Sequence, residues 1–373
     1  MKILYYVGTG SNKFGGLEKF NIQLFKQLIA AHHEVVVIYR RPIIDGAFKN
    51  FLEEYNIKYR WIYESFAITG ESKLTNAKRL ASIVSEEKPD LIHYNFGNLY
   101  DMFFVRILNP FVRYKTIYTA HCHPNLSSIY LNAIFRCVSC LSNKILCVSN
   151  AICREFKTKL NSSKSQTLYL GVPDNRCDRA NCRSTFGFAN DEFIICNIAY
   201  HDPIKGVDIL IKAVNYLKNE LGASGFRVIQ VGGSPFKEIS SQLNELLDSV
   251  DISDCFEMWG LRNDIENILI ASDVYCQTSR SEGIPLSMME ACMAQIPIVA
   301  TNVGGVCEVA ENNKNALLSS NEDYKAIAFN LKKLIDSTRL RKTMGEEGKR
   351  IALEKFDVAS QASKLIDIYN QII

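Results

Sequence analysis

Glu282 and Glu290 stand eight positions apart in the run Ser279-Arg-Ser-Glu-Gly-Ile-Pro-Leu-Ser-Met-Met-Glu-Ala291. The strand-like stretch Asp273-Val-Tyr-Cys-Gln277 leads in, Gly283 turns the chain, and Pro285 suits a first helical position, where its missing N–H is no loss. The run therefore reads as strand, loop, helix. Glu282 belongs to the loop and can face a reacting group, while Glu290 lies a turn and a half into the helix and faces something further along the same ligand. Between them, first-turn N–H groups at residues 284 to 286 lack intrahelical partners, and the helix dipole favours negative charge there. A molecule with a sugar at one end, a diphosphate in the middle and a ribose at the other fits this arrangement. Two solvent-facing helix charges would give the same spacing.

Three further segments carry chemistry. Gly15-Gly16-Leu17-Glu18 closes a loop and opens a helix, so that backbone can approach a ligand closely; glycine pairs also merely turn chains. His121, in Thr119-Ala-His121, follows a strand at the end where open α/β sheets bind ligands, although a lone histidine is more often a structural group. Lys205-Gly206 precedes the helical run Val207-Asp-Ile-Leu-Ile-Lys-Ala213 and offers an ammonium to an anion. Two other patterns fail. Gly8-Thr-Gly10 is followed by Lys13 instead of a third glycine, and the second strand ends in Tyr39-Arg-Arg41 without an acidic residue, so the dinucleotide fingerprint is not met. No P-loop surrounds Lys13.

The elements that must position these residues alternate throughout. Apolar strand-like runs at 3–7, 34–39, 91–94, 116–120, 145–149 and 167–170 are interleaved with helical patterns at 17–31 and 75–87. After a polar stretch at 171–191, read as a linker, strands at 193–199, 227–231, 256–259, 274–277 and 298–301 alternate with helices near 206–220, 236–249, 285–294 and 322–336. Such alternation implies parallel sheets covered by helices. The chain of 373 residues, 47% hydrophobic, is long enough for two full cores. Domains are expected at 1–172 and 173–355, each a Rossmann-like lobe, with the ligand cleft between them and a last helix at 356–373 packing back on the first lobe.

Charge and cysteines narrow the class. The net charge of +3 hides an asymmetry: residues 1–170 hold 22 Lys and Arg against 12 Asp and Glu, whereas residues 171–373 hold 21 against 28. A basic first half suggests an anionic partner, a membrane surface or a phosphate-bearing acceptor. Basic runs interleaved with aromatics and zinc-finger spacing are both missing, which argues against nucleic acid. Met1-Lys-Ile-Leu-Tyr-Tyr-Val7 opens as a strand and not as a signal peptide, and no apolar run is long enough to span a bilayer, so a cytoplasmic protein is expected. Most of the twelve cysteines sit in apolar runs, as Cys147, Cys196, Cys276 and Cys292 do, and read as small hydrophobes. Cys137 and Cys140 near His121 and His123 lack a second pair at metal-ligand spacing, so no metal site is expected.

On the Glu pair, the text around Ser279, Glu282, Gly283, Ile284 and Pro285, and Lys205-Gly206, the chain resembles the retaining glycosyltransferases of family 4, with the GT-B fold. Softer matches at Val148-Ser149, Leu170-Gly-Val-Pro173, Val231-Gly-Gly-Ser-Pro235 and Thr301-Asn-Val-Gly-Gly305 extend the resemblance over essentially the whole chain. It implies a metal-independent, retaining transfer of a sugar from a nucleotide-diphospho-sugar, UDP-linked in the first instance and GDP-mannose in the second, with no cofactor. Glu282, His121 and Lys205 would be the catalytic residues. Gly15, Gly16, Tyr200, Lys205, Gly283, Ile284, Pro285, Leu286 and Glu290 would bind donor, Glu290 through the ribose. Glu282 serves as nucleophile or as electrostatic support; both stay open. The family's Gly-Arg before the Lys is here Ala199-Tyr200, so one cationic phosphate contact is missing, and Tyr200 supplies a hydrogen bond without charge.

The acceptor implied is a saccharide or a polyprenyl-diphosphate-linked sugar in bacterial surface polysaccharide synthesis. Residues 98–115 mix Tyr100, Phe103, Phe104, Phe111 and Tyr114 with Arg106, Arg113 and Lys115, a membrane-facing patch that would hold the protein peripherally on the inner face of the plasma membrane; a core helix and strand with flanking charges would read alike. The rival functions are a nucleotide-sugar 2-epimerase of the same fold and a non-enzymatic bilobal sugar-binding protein.

Overall fold

The computed structural model describes residues 1–373 except 9–15, 44–45, 63–72, 96–98, 125–128, 161, 175–176, 190 and 234–236. Long buried apolar runs such as Ile3–Val7 and Val35–Tyr39 suit parallel strands, which are covered on both faces and so need no polar alternation. The chain forms two compact units, Met1–Gly171 with Val358–Ile373, and Val172–Asp357.

In unit 1 the strands are β1 (Lys2–Val7), β2 (Glu34–Tyr39), β3 (Lys58–Trp61), β4 (Leu91–Asn95), β5 (Lys115–Ala120), β6 (Lys144–Cys147) and β7 (Ser165–Thr167). They pair in parallel in the order β3-β2-β1-β4-β5-β6-β7. Strand order reverses between β1 and β4, the switch point at which open α/β sheets bind ligands. The last helix, Val358–Ile372, packs against the helix Gly16–Ala30 within this unit. Gln27 donates to the Ala359 carbonyl at 3.1 Å, and the Tyr369 hydroxyl lies 2.5 Å from His93 Nδ1. A Cβ at Gly171 would stand 2.3 Å from the Val358 Cα, so only glycine allows the chain to pass there.

Unit 2 holds β8 (Phe193–Ile198), β9 (Phe226–Val231), β10 (Phe256–Met258), β11 (Val274–Gln277), β12 (Ile298–Thr301) and β13 (Ala316–Ser319), paired in parallel as β10-β9-β8-β11-β12-β13. Its switch point lies between β8 and β11. Helices at Val207–Asn215 and Tyr324–Asp336 cover one face through Ile209, Leu210, Val214, Ile327 and Leu331. The two parallel α/β sheets agree with the expected architecture.

The polar stretch at 171–191 differs from a linker. It builds the helix Arg179–Thr185 of unit 2, whose arginines meet carbonyl groups at the ends of other elements. Buried Arg183 donates to Ala271 O at 2.9 Å, Ala189 O at 2.6 Å and Glu192 O at 2.5 Å. Arg179 donates to Ile270 O at 2.7 Å and to Asp273 at 2.7 Å. Helix carbonyls without intrahelical partners attract cations, so polar composition here marks capping of other helices and not exposure. The helix Leu99–Leu108 followed by β5 matches the core helix-and-strand reading of residues 98–115, whereas β3, β13 and the helices Gly46–Glu54 and Asn150–Lys159 fall where the sequence reading places no element.

Candidate functional site

Lys205 and Glu282 leave the carboxyl ends of β8 and β11, the two strands that flank the switch point of unit 2. Beyond β8, Asp202 caps a single 3₁₀ turn, Pro203–Lys205: its Oδ1 accepts from Ile204 N at 2.8 Å and its carbonyl from Lys205 N at 2.8 Å. Gly206 follows with φ +63°, a left-handed backbone. A Cβ there would fall 2.0 Å from the Thr278 carbonyl oxygen, and Thr278 Oγ1 donates to Gly206 O at 2.7 Å. The glycine of the Lys-Gly pair thus lets the two exit loops touch, which brings the Lys205 ammonium within 2.8 Å of Glu282 Oε1.

Glu282 is buried, and its Oε1 accepts three hydrogen bonds: from Lys205 Nζ at 2.8 Å, Gln277 Nε2 at 2.9 Å and Ser279 Oγ at 2.7 Å. Gln277 is held in turn by the Tyr275 hydroxyl at 3.0 Å, which also meets Ser287 Oγ at 2.7 Å. Oε1 is saturated, while Oε2 accepts from no group among the described residues. The main chain is clasped from β12. Thr301 Oγ1 donates to Ser279 O at 2.5 Å, Gly305 N to Glu282 O at 3.2 Å, and a Cβ at Gly304 would lie 1.9 Å from Glu282 O. Gln277 and Ser279 were not assigned from sequence; a polar Gln closing a buried apolar strand was the available signal for the first.

The helix after Glu282 runs Leu286–Met293, with Pro285 as its N-cap and not its first residue. The Pro285 carbonyl accepts from Met288 N and Met289 N. Pro285 has no N–H, so the anion site expected at 284–286 shifts: Ile284, Leu286 and Ser287 present the amides that have no partner among the described residues. Glu290 is half-buried on this helix, beside a small hollow lined by Pro173, Glu266 and Leu269, and is not among the partners of Glu282. Tyr200 is exposed at the exit of β8. Its neighbour His201 is buried between Ser240 Oγ at 2.8 Å and Gln230 Oε1 at 3.0 Å, a structural placement.

A cavity of about 760 Å³ opens at the opposite, amino end of this sheet, beside Arg179, Asp273, Arg341 and Lys349. Its cations are engaged by carbonyl groups where helices end: Lys349 with Met293 O at 2.7 Å, Arg341 with Leu334 O at 2.6 Å. These contacts are structural, and the chemistry-bearing side chains lie at the other end.

In unit 1, Gly15 falls outside the described residues, and Gly16 begins the helix Gly16–Ala30. His121 follows β5, half-buried, with Nε2 in a short contact with Asn95 Oδ1. Asn95 Nδ2 in turn donates to the Tyr5 hydroxyl, which donates to Asn21 Oδ1 at 2.9 Å. Burial, with a smaller push from His93, lowers the His121 pKa to about 3. His93, between Tyr369 and Thr119 Oγ1 at 2.6 Å, is likewise pushed down to about 3 by burial. Both imidazoles are neutral at pH 7. His123 is exposed and pairs with Glu155 at 3.2 Å. Groups of three or more His, Cys, Asp or Glu able to hold a metal ion do not occur among the described residues.

The aromatic patch is narrower than its composition suggests. Tyr114 is buried beneath the Arg106 guanidinium, 3.9 Å from the ring centroid, so neither faces outward freely. What protrudes is Phe111, 95% exposed, with Ile107 and Leu108, beside exposed Arg113 and Lys115. No helix among the described residues is long and apolar enough to cross a membrane.

The fold is that of the GT-B glycosyltransferases. Residues 178–351 match the family model of glycosyl transferases group 1 and residues 14–176 that of glycosyltransferase family 4, and the chain belongs to this family of enzymes. It is 22% identical over 314 residues to the N-acetyl-alpha-D-glucosaminyl L-malate synthase of Bacillus anthracis, covering 80% of this chain and 79% of that enzyme. In structure it is similar to HepE of Anabaena in complex with UDP and glucose, with a TM-score of 0.83, 21% identity and full coverage of both chains. It is also similar to WaaG, a glycosyltransferase involved in lipopolysaccharide biosynthesis, with a TM-score of 0.74, 16% identity, and 98% of this chain and 99% of that one covered.

The two neutral histidines generate a pH prediction. Their folded pKa values lie below the ordinary value of 6.5, so the unfolded chain takes up protons first as pH falls. The stability they contribute is complete above about pH 6.5 and is lost progressively toward about pH 3. Thermal unfolding of the protein should shift to lower temperature between pH 7 and pH 5, with a shallower dependence in His93→Gln. Equal slopes in the two proteins would show that His93 is not held neutral by burial.

Proposed function

We propose that the protein transfers a sugar, with retention of configuration, from a nucleotide-diphospho-sugar to a saccharide or a polyprenyl-diphosphate-linked acceptor in bacterial surface polysaccharide synthesis, without a divalent metal ion. The observation that carries this reading is the Lys205–Glu282 pair at the switch point of unit 2, next to the amides of Leu286 and Ser287, which have no partner among the described residues. HepE, solved in complex with UDP and glucose, and WaaG, involved in lipopolysaccharide biosynthesis, support the choice of a UDP-linked donor and of a surface polysaccharide.

In this reaction an acceptor hydroxyl oxygen bonds to the anomeric carbon as the bond from that carbon to the β-phosphate oxygen breaks. The hydroxyl proton passes to the departing phosphate oxygen on the same face. Charge grows on the β-phosphate, so its stabilisation must come from Lys205 and from the amides of Leu286 and Ser287, and the family resemblance assigns Gly15 and Gly16 to the same donor. Glu282 holds sugar hydroxyls and supports the oxocarbenium-like centre through Oε2, Oε1 being fixed by its three donors. His121, as a neutral imidazole, contacts the transferred sugar. Glu290 accepts from ribose hydroxyls. Tyr200 and the backbone of Gly283, Ile284 and Pro285 complete the donor contacts.

The protruding Phe111, Ile107 and Leu108 with Arg113 and Lys115 form the membrane contact in this reading: apolar side chains enter the interface and cations meet anionic headgroups.

Proton NMR of the new anomeric centre tests the reaction. An α-linked product from an α-linked donor is expected, and a β-linked product would contradict retention. Lys205→Ala should lower turnover by roughly 10²- to 10³-fold; near-normal turnover would place the phosphates on another cation.

Phe111→Ser combined with Arg113→Gln and Lys115→Gln should abolish sedimentation with anionic vesicles at low salt while leaving neutral vesicles unbound. Equal sedimentation of this variant and the wild type would remove the patch from membrane binding.

A further inference from the structure

The turn that carries Lys205 is poorly anchored by packing. None of Pro203, Ile204 and Lys205 is buried, and Ile204 is 52% exposed. Hydrogen bonds must therefore fix its position, and among the described residues those that reach its main chain from another element come from Arg280 of the Glu282 loop. Arg280 N donates to Ile204 O at 2.7 Å and Arg280 Nη1 to Pro203 O at 2.5 Å. The rest of the guanidinium grips Asp208, just beyond the turn, through Nη1 at 2.9 Å and Nη2 at 2.8 Å. Its far edge meets Glu322 through Nε at 2.5 Å and Nη2 at 3.2 Å.

Glu322 itself adopts φ +64°, a left-handed backbone that is strained for a non-glycine residue. Such strain persists where the surroundings over-determine it, here around a carboxylate aimed at Arg280. Isolated surface ion pairs contribute little, since solvent screens them and holding two long side chains costs entropy. A planar fork that meets two carboxylates and a main-chain oxygen at once, beside a backbone amide that holds a second main-chain oxygen, is different, because it fixes a geometry and not merely a charge.

We propose that Arg280 is a positioning residue for Lys205: it ties the Pro203–Lys205 turn to the loop that carries Glu282, and so sets where the ammonium meets the donor diphosphate. The inference rests on the reading that Lys205 binds a diphosphate, and it reaches that diphosphate only through Lys205.

Two measurements test it. In hydrogen exchange of the ligand-free protein, the amides of Ile204 and Lys205 should exchange about tenfold faster in Arg280→Gln than in the wild type, at an unchanged global unfolding midpoint. Calorimetry with UDP and with GDP, offered separately, should show weaker binding by about 10- to 100-fold in Arg280→Gln. Arg280→Lys, which keeps the charge but not the fork, should recover little of the loss. The double variant with Lys205→Ala should bind no worse than Lys205→Ala alone, because residues acting through one another are not additive.

Wild-type exchange at Ile204 and Lys205 in Arg280→Gln, or a double variant that multiplies the two losses, overturns the positioning role. Wild-type affinity in Lys205→Ala overturns instead the diphosphate reading, while the exchange result still decides the brace. If Arg280→Gln does not fold, Glu322→Gln, which removes one arm of the clamp, is measured in its place, with the same direction expected in exchange.

Discussion

A buried carboxylate is costly unless donors meet it, and at Glu282 all three donors converge on one oxygen. That requirement organises the carboxyl end of the second sheet. Gln277 must close β11 with an amide, Ser279 must turn its hydroxyl inward, and Lys205 must arrive from β8. Removing one partner of a buried ion pair typically costs about 3–5 kcal/mol, because the other charge is left uncompensated. A donor diphosphate that draws Lys205 toward itself makes the same demand, and Gln277 and Ser279 are the groups that continue to hold Glu282 when it does. The saturated oxygen and the unoccupied one divide the carboxylate into an anchored side and a side available to a ligand.

Close backbone approach is the second constraint. Three exit loops, after β8, β11 and β12, must touch for Lys205 and Glu282 to meet. They do so at Gly206, Gly304 and Gly305, where an added Cβ would lie between 1.9 and 2.1 Å from a neighbouring carbonyl oxygen. Side chains with charge then lock what the glycines permit. The site is consequently rigid in its backbone and adjustable mainly in the Lys205 side chain, which is about one-third exposed.

The residues that were legible in sequence are those whose neighbours in the chain declare them. Glu282, Gly283 and Pro285 sit in one short text between a strand and a helix, and Lys205-Gly206 opens a helical run; the parallel α/β architecture follows from alternation alone. Arg280 was not legible as a brace, since its partners Pro203, Ile204, Asp208 and Glu322 come from far along the chain and meet only in the folded unit. Gln277 gains its meaning from Tyr275 and Glu282 in the same way. The stretch at 171–191 misled because arginines that cap helix carbonyls have the same composition as an exposed linker. Arg106 misled because its charge lies against Tyr114. Pro285 was displaced by one position, which moved the amides without a partner among the described residues to Ile284, Leu286 and Ser287.

The central claim is that the donor diphosphate takes Lys205 over from Glu282. A crystal structure of the protein with UDP bound tests it directly. The account predicts the Lys205 ammonium about 2.7–2.9 Å from a β-phosphate oxygen, with Gln277 and Ser279 still on Glu282 Oε1. A bound diphosphate with Lys205 still paired to Glu282, and the phosphate held elsewhere, would contradict it.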